Sequence, residues 1–163
     1  MTRFVKIALA GAMSLWGLLG VMGNLSHYSV NLEFVAGVMA MSDQMLDTSA
    51  WWAAHAITNP VIVNIGFAFI YLSKLATGIL CALGAWRMWQ ARAADGASFQ
   101  RAKTLVILGA GISIFMLFFG FIIISGIWFS MWQASYGLAI HQFAFIYMAA
   151  LALIASYVNV KDD

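Results

Sequence analysis

The feature that most constrains the fold is an apolar run from Val61 to Trp89, in which Lys74 is the only charge before Arg87. A run of this length is typical of a helix that crosses a lipid bilayer. Lys74 lies about 20 Å of helix from either end, too far for its side chain to reach water. An ammonium at that depth costs roughly 2.5–3.5 kcal/mol, so we expect another group to satisfy it.

Three further apolar runs of similar length predict a multi-pass membrane protein. Of 163 residues, 64% are hydrophobic and only 9% are charged, against roughly 25% charged in soluble domains. We predict a single transmembrane domain over residues 1–163, with spans at about 5–23, 61–89, 104–129 and 138–158. The expected fold is an all-α, four-helix transmembrane bundle.

The first apolar run follows the basic residues Arg3 and Lys6 and therefore resembles a signal peptide. We predict an uncleaved first span, because the run continues past its small residues to the length of a full span. Small side chains on this helix favour close packing against a neighbour: Ala10, Ser14, Gly17 and Gly20.

The connection at about residues 24–59 is the only sizeable extramembrane region, and it carries three acidic residues but no lysine or arginine. Its apolar residues recur at spacings that partly fit a helix, which predicts a helix at about residues 31–47 lying along the membrane surface. Tryptophans cluster near the span ends and are expected to anchor the protein at the interfaces: Trp51, Trp52, Trp86, Trp89, Trp128 and Trp132.

The distribution of basic residues predicts the orientation. Every lysine and arginine except Lys74 lies in the termini, in the connection between spans two and three, or in the span ends next to them, whereas the other two connections hold none. The positive-inside rule then places both termini in the cytoplasm, and we expect the bacterial inner membrane. The acidic 24–59 connection would be extracytoplasmic. We do not expect nucleic acid as a partner, because the basic residues lie where membrane topology requires them.

No aspartate or glutamate falls inside a span, so Lys74 has no predicted carboxylate partner there. In one interpretation, another subunit supplies an acidic or polar group to Lys74. In a second, local hydroxyls such as that of Ser113 satisfy the ammonium, or the lysine loses its proton. In a third, Lys74 lies on an anion or proton path. We assign partner contact to Lys74, Ser113 and Trp16. Contact with lipid or quinone is an alternative for Trp16, and the sequence requires no cofactor.

Three histidines fall on the predicted extracytoplasmic side, with methionines near them at similar depth. A set of histidine and thioether ligands could hold copper, and two histidines could ligate haem, so we regard these residues as weak metal candidates: His27, His55, His141, Met39 and Met45. Helix capping and hydrogen bonds to loop carbonyls are the favoured explanation of the histidines, since no two lie three or four residues apart. The single cysteine, Cys81, excludes a multi-cysteine site and is expected in the core.

Three segments carry a resemblance to a known family: Asn31-Leu32-Glu33-Phe34-Val35, Ala56-Ile57-Thr58-Asn59-Pro60 and Leu80-Cys81-Ala82-Leu83-Gly84-Ala85. The chain resembles bacterial predicted small integral membrane proteins, domain of unknown function 2165, over nearly its whole length. The resemblance implies that an acidic residue usually stands at the position of Lys74 and that histidines follow soon after Pro60, where this chain has Val63 and Asn64. It implies the fold and the membrane location, and no activity.

The sequence favours a small accessory subunit of a larger inner-membrane complex, such as a respiratory, photosynthetic or membrane oxidative enzyme. A homo-oligomeric channel or transporter subunit, with Lys74 on an anion or proton path, is the alternative. A metal or haem protein built on the three histidines is a second alternative. We find no phosphate-binding loop, catalytic carboxylate pair or activated nucleophile, so we do not expect an enzyme acting alone. The expected partners are membrane lipids and other integral membrane subunits.

Overall fold

The computed structural model describes residues 1–43 and 54–162, and these form a helical bundle. Its α-helices are α1 (Thr2–Ser26), α2 (Tyr28–Ala40), α3 (Pro60–Gln90), α4 (Gly96–Ala102), α5 (Thr104–Phe115) and α6 (Gly137–Asn159). A π-helical segment (Met116–Trp128) continues α5, and a short 3-10 helix (Met131–Gln133) follows it. Four stretches are long and apolar enough to cross a membrane, which confirms the predicted number of spans: Thr2–Ser26, Pro60–Gln90, Gly96–Trp128 and Gly137–Asn159.

Local sequence signals start α3 and α4. The Asn59 side chain accepts a 2.9 Å hydrogen bond from the Val61 backbone N–H, and Pro60 occupies the first helical position, where its missing N–H costs no helical hydrogen bond. The Asp95 carboxylate caps α4 in the same way, through a 2.9 Å hydrogen bond from the Ser98 N–H. Capping lowers the pKa of Asp95, since the Ser98 backbone and side chain both donate hydrogen bonds to it.

Helices α1 and α3 pack with their backbones in close approach. Ser14 precedes Gly17 by one turn of α1, and its buried hydroxyl donates a 2.8 Å hydrogen bond to the Gly78 carbonyl of α3. A Cβ atom on Gly17 would lie 2.6 Å from the Lys74 carbonyl oxygen and 2.7 Å from the Gly78 nitrogen. The predicted packing role of the small residues on α1 is therefore confirmed at Ser14 and Gly17.

Replacing Gly17 with leucine is expected to destabilise the bundle by about 2 kcal/mol, because the side chain has to push the α3 backbone away. Gly11→Leu is the matched control, since no atom lies within 4 Å of a Cβ at that position of the same helix. Denaturation of both variants in detergent micelles measures the difference. Equal stability of the two variants would contradict the packing described for α1 and α3.

Helices α3 and α5 are joined by a buried polar contact. The Thr77 hydroxyl donates a 2.8 Å hydrogen bond to the Gly109 carbonyl and lies 2.7 Å from the Ser113 hydroxyl. Cys81 is fully buried on the next turn of α3, within the apolar core, as predicted. Gly84 continues this seam, because a Cβ there would lie 2.8 Å from the Val106 nitrogen.

The basic residues other than Lys74 gather at one end of the bundle, which we call the basic end. It contains the start of α1, the connection between α3 and α4, and the residues that follow α6. Arg3 donates hydrogen bonds to the carbonyls of Arg92 and Ala94, at 3.1 and 2.6 Å. Lys6 contacts Asp162, so both chain termini lie at this end.

The opposite end, which we call the acidic end, carries α2 and the connection before α6. There the Asp43 carboxylate accepts hydrogen bonds from the Ser135 hydroxyl and N–H, at 2.5 and 3.2 Å. The Tyr136 ring packs edge-on against Phe34 of α2, with a centroid distance of 4.5 Å. Burial and the neighbouring Asp43 charge raise the pKa of Tyr136. These contacts hold the start of α6 against the end of α2.

Helix α2 differs in its bounds from the predicted helix at about residues 31–47, of which residues 44–47 lie outside the described part of the chain. It begins at Tyr28, directly after α1, and ends at Ala40 because Met41 adopts a left-handed conformation with φ of 54°. α2 packs against α3, and a Cβ on Gly66 would lie 3.5 Å from the Met39 sulfur. The expectation that it lies along the membrane surface remains a prediction.

Candidate functional site

Lys74 lies where α3 crosses α1. Its side chain extends over Gly20, and a Cβ on that glycine would lie 3.1 Å from the Lys74 Cδ and 3.7 Å from the Nζ. Asn24 follows Gly20 by one helical turn and therefore lies on the same face of α1. A larger residue at position 20 would occupy the path of the lysine, so glycine leaves room for the charged side chain to lie between the two helices.

The Lys74 side chain lines a cavity of about 550 Å³ on the acidic side of the helix crossing. The walls are mostly apolar and come from α2, α3, the π-helical segment and the start of α6. Val35, Val38 and Met39 of α2 cover the cavity on one side. Its polar lining consists of Lys74, Asn24, Asn31 and Ser125. We call this space the Lys74 cavity.

Two hydrogen-bond donors of the Lys74 cavity have no acceptor within residues 1–43 and 54–162. The Lys74 ammonium makes neither a hydrogen bond nor an ion pair there, and the buried Asn24 Nδ2 atom has no partner. The other two polar side chains already donate to backbone carbonyls. Asn31 donates to the carbonyls of Asn24 and His27, and Ser125 donates to the Gly120 carbonyl. The group that completes this site must therefore accept hydrogen bonds.

The backbone beside the Lys74 cavity is π-helical. Phe119, Gly120 and Ser125 line the cavity and belong to this segment. In a π-helix each carbonyl accepts a hydrogen bond from the N–H five residues later. The 3.0 Å bond from the Phe129 N–H to the Ile124 carbonyl is an example. Segments of this kind are rare and are found frequently at functional sites. Sequence periodicity did not predict the π-helical segment, because apolar residues occupy all of its faces.

The Lys74 cavity opens toward the outer surface of the bundle. Phe34, Ile65 and Phe119 line it and are also solvent-exposed in the isolated chain, Ile65 to 63%. These three belong to α2, α3 and the π-helical segment, so the opening lies between those elements. A group carried by the surrounding membrane or by a neighbouring helix would enter there.

The other two predicted partner-contact residues lie away from this opening. Ser113 is fully buried and its hydroxyl is engaged by Thr77, so it belongs to the contact between α3 and α5. Trp16 is partly buried against the core, with its ring 6.0 Å from that of Tyr147 on α6. Of these three residues, Lys74 is the one that lines the cavity.

The predicted interfacial tryptophans that the structure describes are exposed. Trp86 and Trp89 lie toward the basic end, whereas Trp128 and Trp132 lie toward the acidic end. Trp51 and Trp52 fall outside the described residues. Anchoring at the membrane surface stays a prediction for all six.

The histidines do not converge on a common site in the described part of the chain. His27 lies between α1 and α2, the His55 ring packs edge-on against Trp128 at 4.7 Å, and His141 lies against Gly126 of the π-helical segment. No group of three or more histidine, cysteine, aspartate or glutamate side chains there could hold a metal ion. Met39 lines the Lys74 cavity, and Met45 falls outside the described residues.

A second charged cluster, at the basic end, is absent from the sequence predictions. The Asp162 carboxylate pairs with the ammonium groups of Lys6, at 2.8 Å, and Lys103. The Val160 carbonyl accepts a hydrogen bond from each lysine, at 2.6 and 2.7 Å. Burial alone would raise the pKa of Asp162, but hydrogen bonds from the lysines and their charges outweigh it and leave that pKa lowered.

We call this group the Lys6–Asp162–Lys103 cluster, and its contacts indicate a structural role. Each lysine is only 1% exposed, and the carboxylate between them closes the basic end by joining α1, the α4–α5 junction and the C-terminal residues. The only sequence signal was an acidic residue directly after the fourth span, at the end that also carries the basic residues.

Comparison with known proteins identifies a family. No curated protein and no solved structure shows a significant match to the chain. The signature of a family described as predicted small integral membrane protein, domain of unknown function 2165, matches residues 2–159. That match spans nearly the whole sequence, and the four membrane-spanning helices agree with the description. The chain therefore belongs to this family of predicted small integral membrane proteins.

Proposed function

We propose that the protein is a small accessory subunit of a larger inner-membrane complex, such as a respiratory, photosynthetic or membrane oxidative enzyme, which it stabilises by helix packing. One observation carries the proposal: Lys74 and Asn24 present two hydrogen-bond donors to a cavity where no described acceptor meets them. Both termini lie in the cytoplasm, because the positive-inside rule places the basic end there.

The chemistry of the two donors indicates what the partner supplies. Leaving a buried donor unsatisfied costs about 1–3 kcal/mol, and an ammonium in the membrane interior costs more. A carboxylate would offset both costs, since it accepts hydrogen bonds from the ammonium and the amide and neutralises the charge. A single acidic side chain on a neighbouring transmembrane helix satisfies these requirements.

The position of the cavity opening indicates where the partner helix packs. It would contact the bundle between α2, α3 and the π-helical segment, where Phe34, Ile65 and Phe119 are exposed. These apolar side chains would surround the charged contact and exclude water from it. The acidic residue would then reach the Lys74 cavity from the side, within the membrane.

Photo-cross-linking from position 65 tests this placement. A photoreactive amino acid replaces Ile65 in the full-length tagged protein, which is irradiated in native membranes and purified. We expect one discrete adduct with another integral membrane protein, and we expect Lys74→Met to abolish that adduct because the contact loses its charge. Mass spectrometry of the adduct identifies the partner.

The same photoreactive residue at position 153 is the matched control. Leu153 is 72% exposed on α6 and does not line the Lys74 cavity, so it reports adducts that arise from any membrane-facing surface. Recovery of the protein as a lone monomer or homo-oligomer, with no heterologous adduct from position 65, would refute the accessory-subunit proposal.

A channel or transporter subunit is the second candidate, and the position of Phe69 favours it. This residue lines both the Lys74 cavity and a second cavity that extends to the basic end, and its ring packs against Phe115 and Phe119, so the two cavities adjoin at this aromatic cluster. Four spans are few for a carrier, so this function requires a homo-oligomer. Lys74 would then bind an anion or relay a proton.

A further inference from the structure

The second cavity is a groove of about 1170 Å³ between α3, the α4–α5 region and the C-terminal residues, and we call it the basic-end groove. Leu108, Gly111 and Phe115 of α5 and Phe69 of α3 line its apolar part. Its polar part lies at the basic end. The groove therefore changes from apolar to charged along its length, as the membrane itself does from core to surface.

The length of the apolar part matches one leaflet. From Thr104 to Phe115, α5 rises about 18 Å, close to half of a ~30 Å hydrocarbon core. No atom lies within 4 Å of a Cβ placed on Gly111, so the groove is open midway along its wall. An extended acyl chain fits this part of the groove.

The charged part of the groove favours an anionic group. Arg101 and Lys161 line it, are exposed and form no ion pair with a described carboxylate. The guanidinium of Arg101 donates one hydrogen bond to the Ser98 hydroxyl, at 2.9 Å, which leaves its other donors available. Asp162 also lines the groove, but it is already paired with both Lys6 and Lys103.

We propose that the basic-end groove binds one anionic phospholipid, with its acyl chain along α5 and its phosphate group between Arg101 and Lys161. Basic residues at the membrane surface attract anionic lipids, and basic pockets between transmembrane helices bind their head groups. The apolar wall adds contacts that a free phosphate ion would lack. This site lies apart from the Lys74 cavity opening and does not depend on the accessory-subunit role.

Lipid retention by the intact protein tests the site. The full-length protein is reconstituted in nanodiscs with equal amounts of phosphatidylglycerol and phosphatidylcholine, then released and analysed by native mass spectrometry. We expect one retained phosphatidylglycerol per protein. Each lost charge should weaken retention roughly 5-fold, so the Arg101→Gln and Lys161→Gln double variant should retain the lipid roughly 25-fold less well. The Arg87→Gln and Arg92→Gln double variant, which removes two basic residues outside the groove, should retain the lipid.

A second pair of variants tests the apolar part without removing charge. Gly111→Leu fills the groove where space is open, and Gly11→Leu adds the same side chain at an open position on α1. We expect loss of the bound lipid in the first variant and retention in the second. Equal retention of phosphatidylcholine, equal loss in the two charge variants, or unchanged binding in Gly111→Leu would each overturn the proposal.

Discussion

Replacing Asp162 with asparagine is expected to lower the free energy of unfolding by about 1.5–3 kcal/mol, the range for hydrogen bonds to charged groups, because the contacts of this carboxylate with the two lysines are partly buried. The variant leaves two ammonium groups, each 1% exposed, without the carboxylate between them. The Val160 carbonyl still accepts from both lysines, but a neutral acceptor does not balance their mutual repulsion. Chemical denaturation in detergent micelles at pH 7 measures the loss.

Asp95→Asn is the matched control for this prediction. Asp95 is an exposed carboxylate at the same end of the bundle, and asparagine caps a helix about as well as aspartate does. We expect this control to change stability little. Equal effects of Asp95→Asn and Asp162→Asn would show that the Lys6–Asp162–Lys103 cluster adds nothing beyond the general charge of the basic end.

The pH dependence provides a second measurement of the same cluster. Because the pKa of Asp162 is lowered in the folded protein, its stabilising contribution is complete above the ordinary aspartate value of 3.8. The contribution is lost as pH falls from that value through the folded-state pKa. The stability difference between the wild type and Asp162→Asn should therefore be constant near neutral pH and shrink below pH 3.8.

The sequence predicted the spans well because their signal is local. Hydropathy and length mark each apolar run, and the small residues Ser14 and Gly17 indicate the face of α1 that packs against α3. The Lys6–Asp162 contact joins residues 156 positions apart, and no local pattern indicates such a pair. Counting charges assigns Lys6 and Lys103 to one side of the membrane, but it does not indicate that both are buried against the C-terminal residues.

The surroundings of Lys74 were predictable only in part. The depth of the lysine in α3 and the absence of acidic residues from the spans followed from the sequence, and they indicated an unsatisfied ammonium. The Lys74 cavity depends on tertiary contacts: α2 covers one side, and the π-helical segment forms another. The role of Asn24 was missed, since an asparagine near a span end is also common for ordinary capping.

Replacing Lys74 with methionine is expected to stabilise the isolated protein, by no more than the roughly 2.5–3.5 kcal/mol that an ammonium costs at the centre of a membrane helix. Methionine has a similar length, and its flexible side chain can fill the space over Gly20. Lys161→Met is the matched control, because Lys161 is exposed at the basic end and its loss removes the same charge. Denaturation of the purified variants in micelles measures both changes.

The sign of this change separates the roles open to Lys74. If a group within the chain already satisfies the ammonium, Lys74→Met removes that interaction and destabilises the isolated protein. A rise in stability together with loss of the position-65 adduct instead means that another molecule supplies the acceptor, as the accessory-subunit proposal requires. A rise in stability with loss of anion or proton flux in reconstituted vesicles, and no heterologous adduct, favours the channel. In both cases Lys74 lowers the stability of the isolated folded chain, because its charge serves an interaction that the chain alone does not complete.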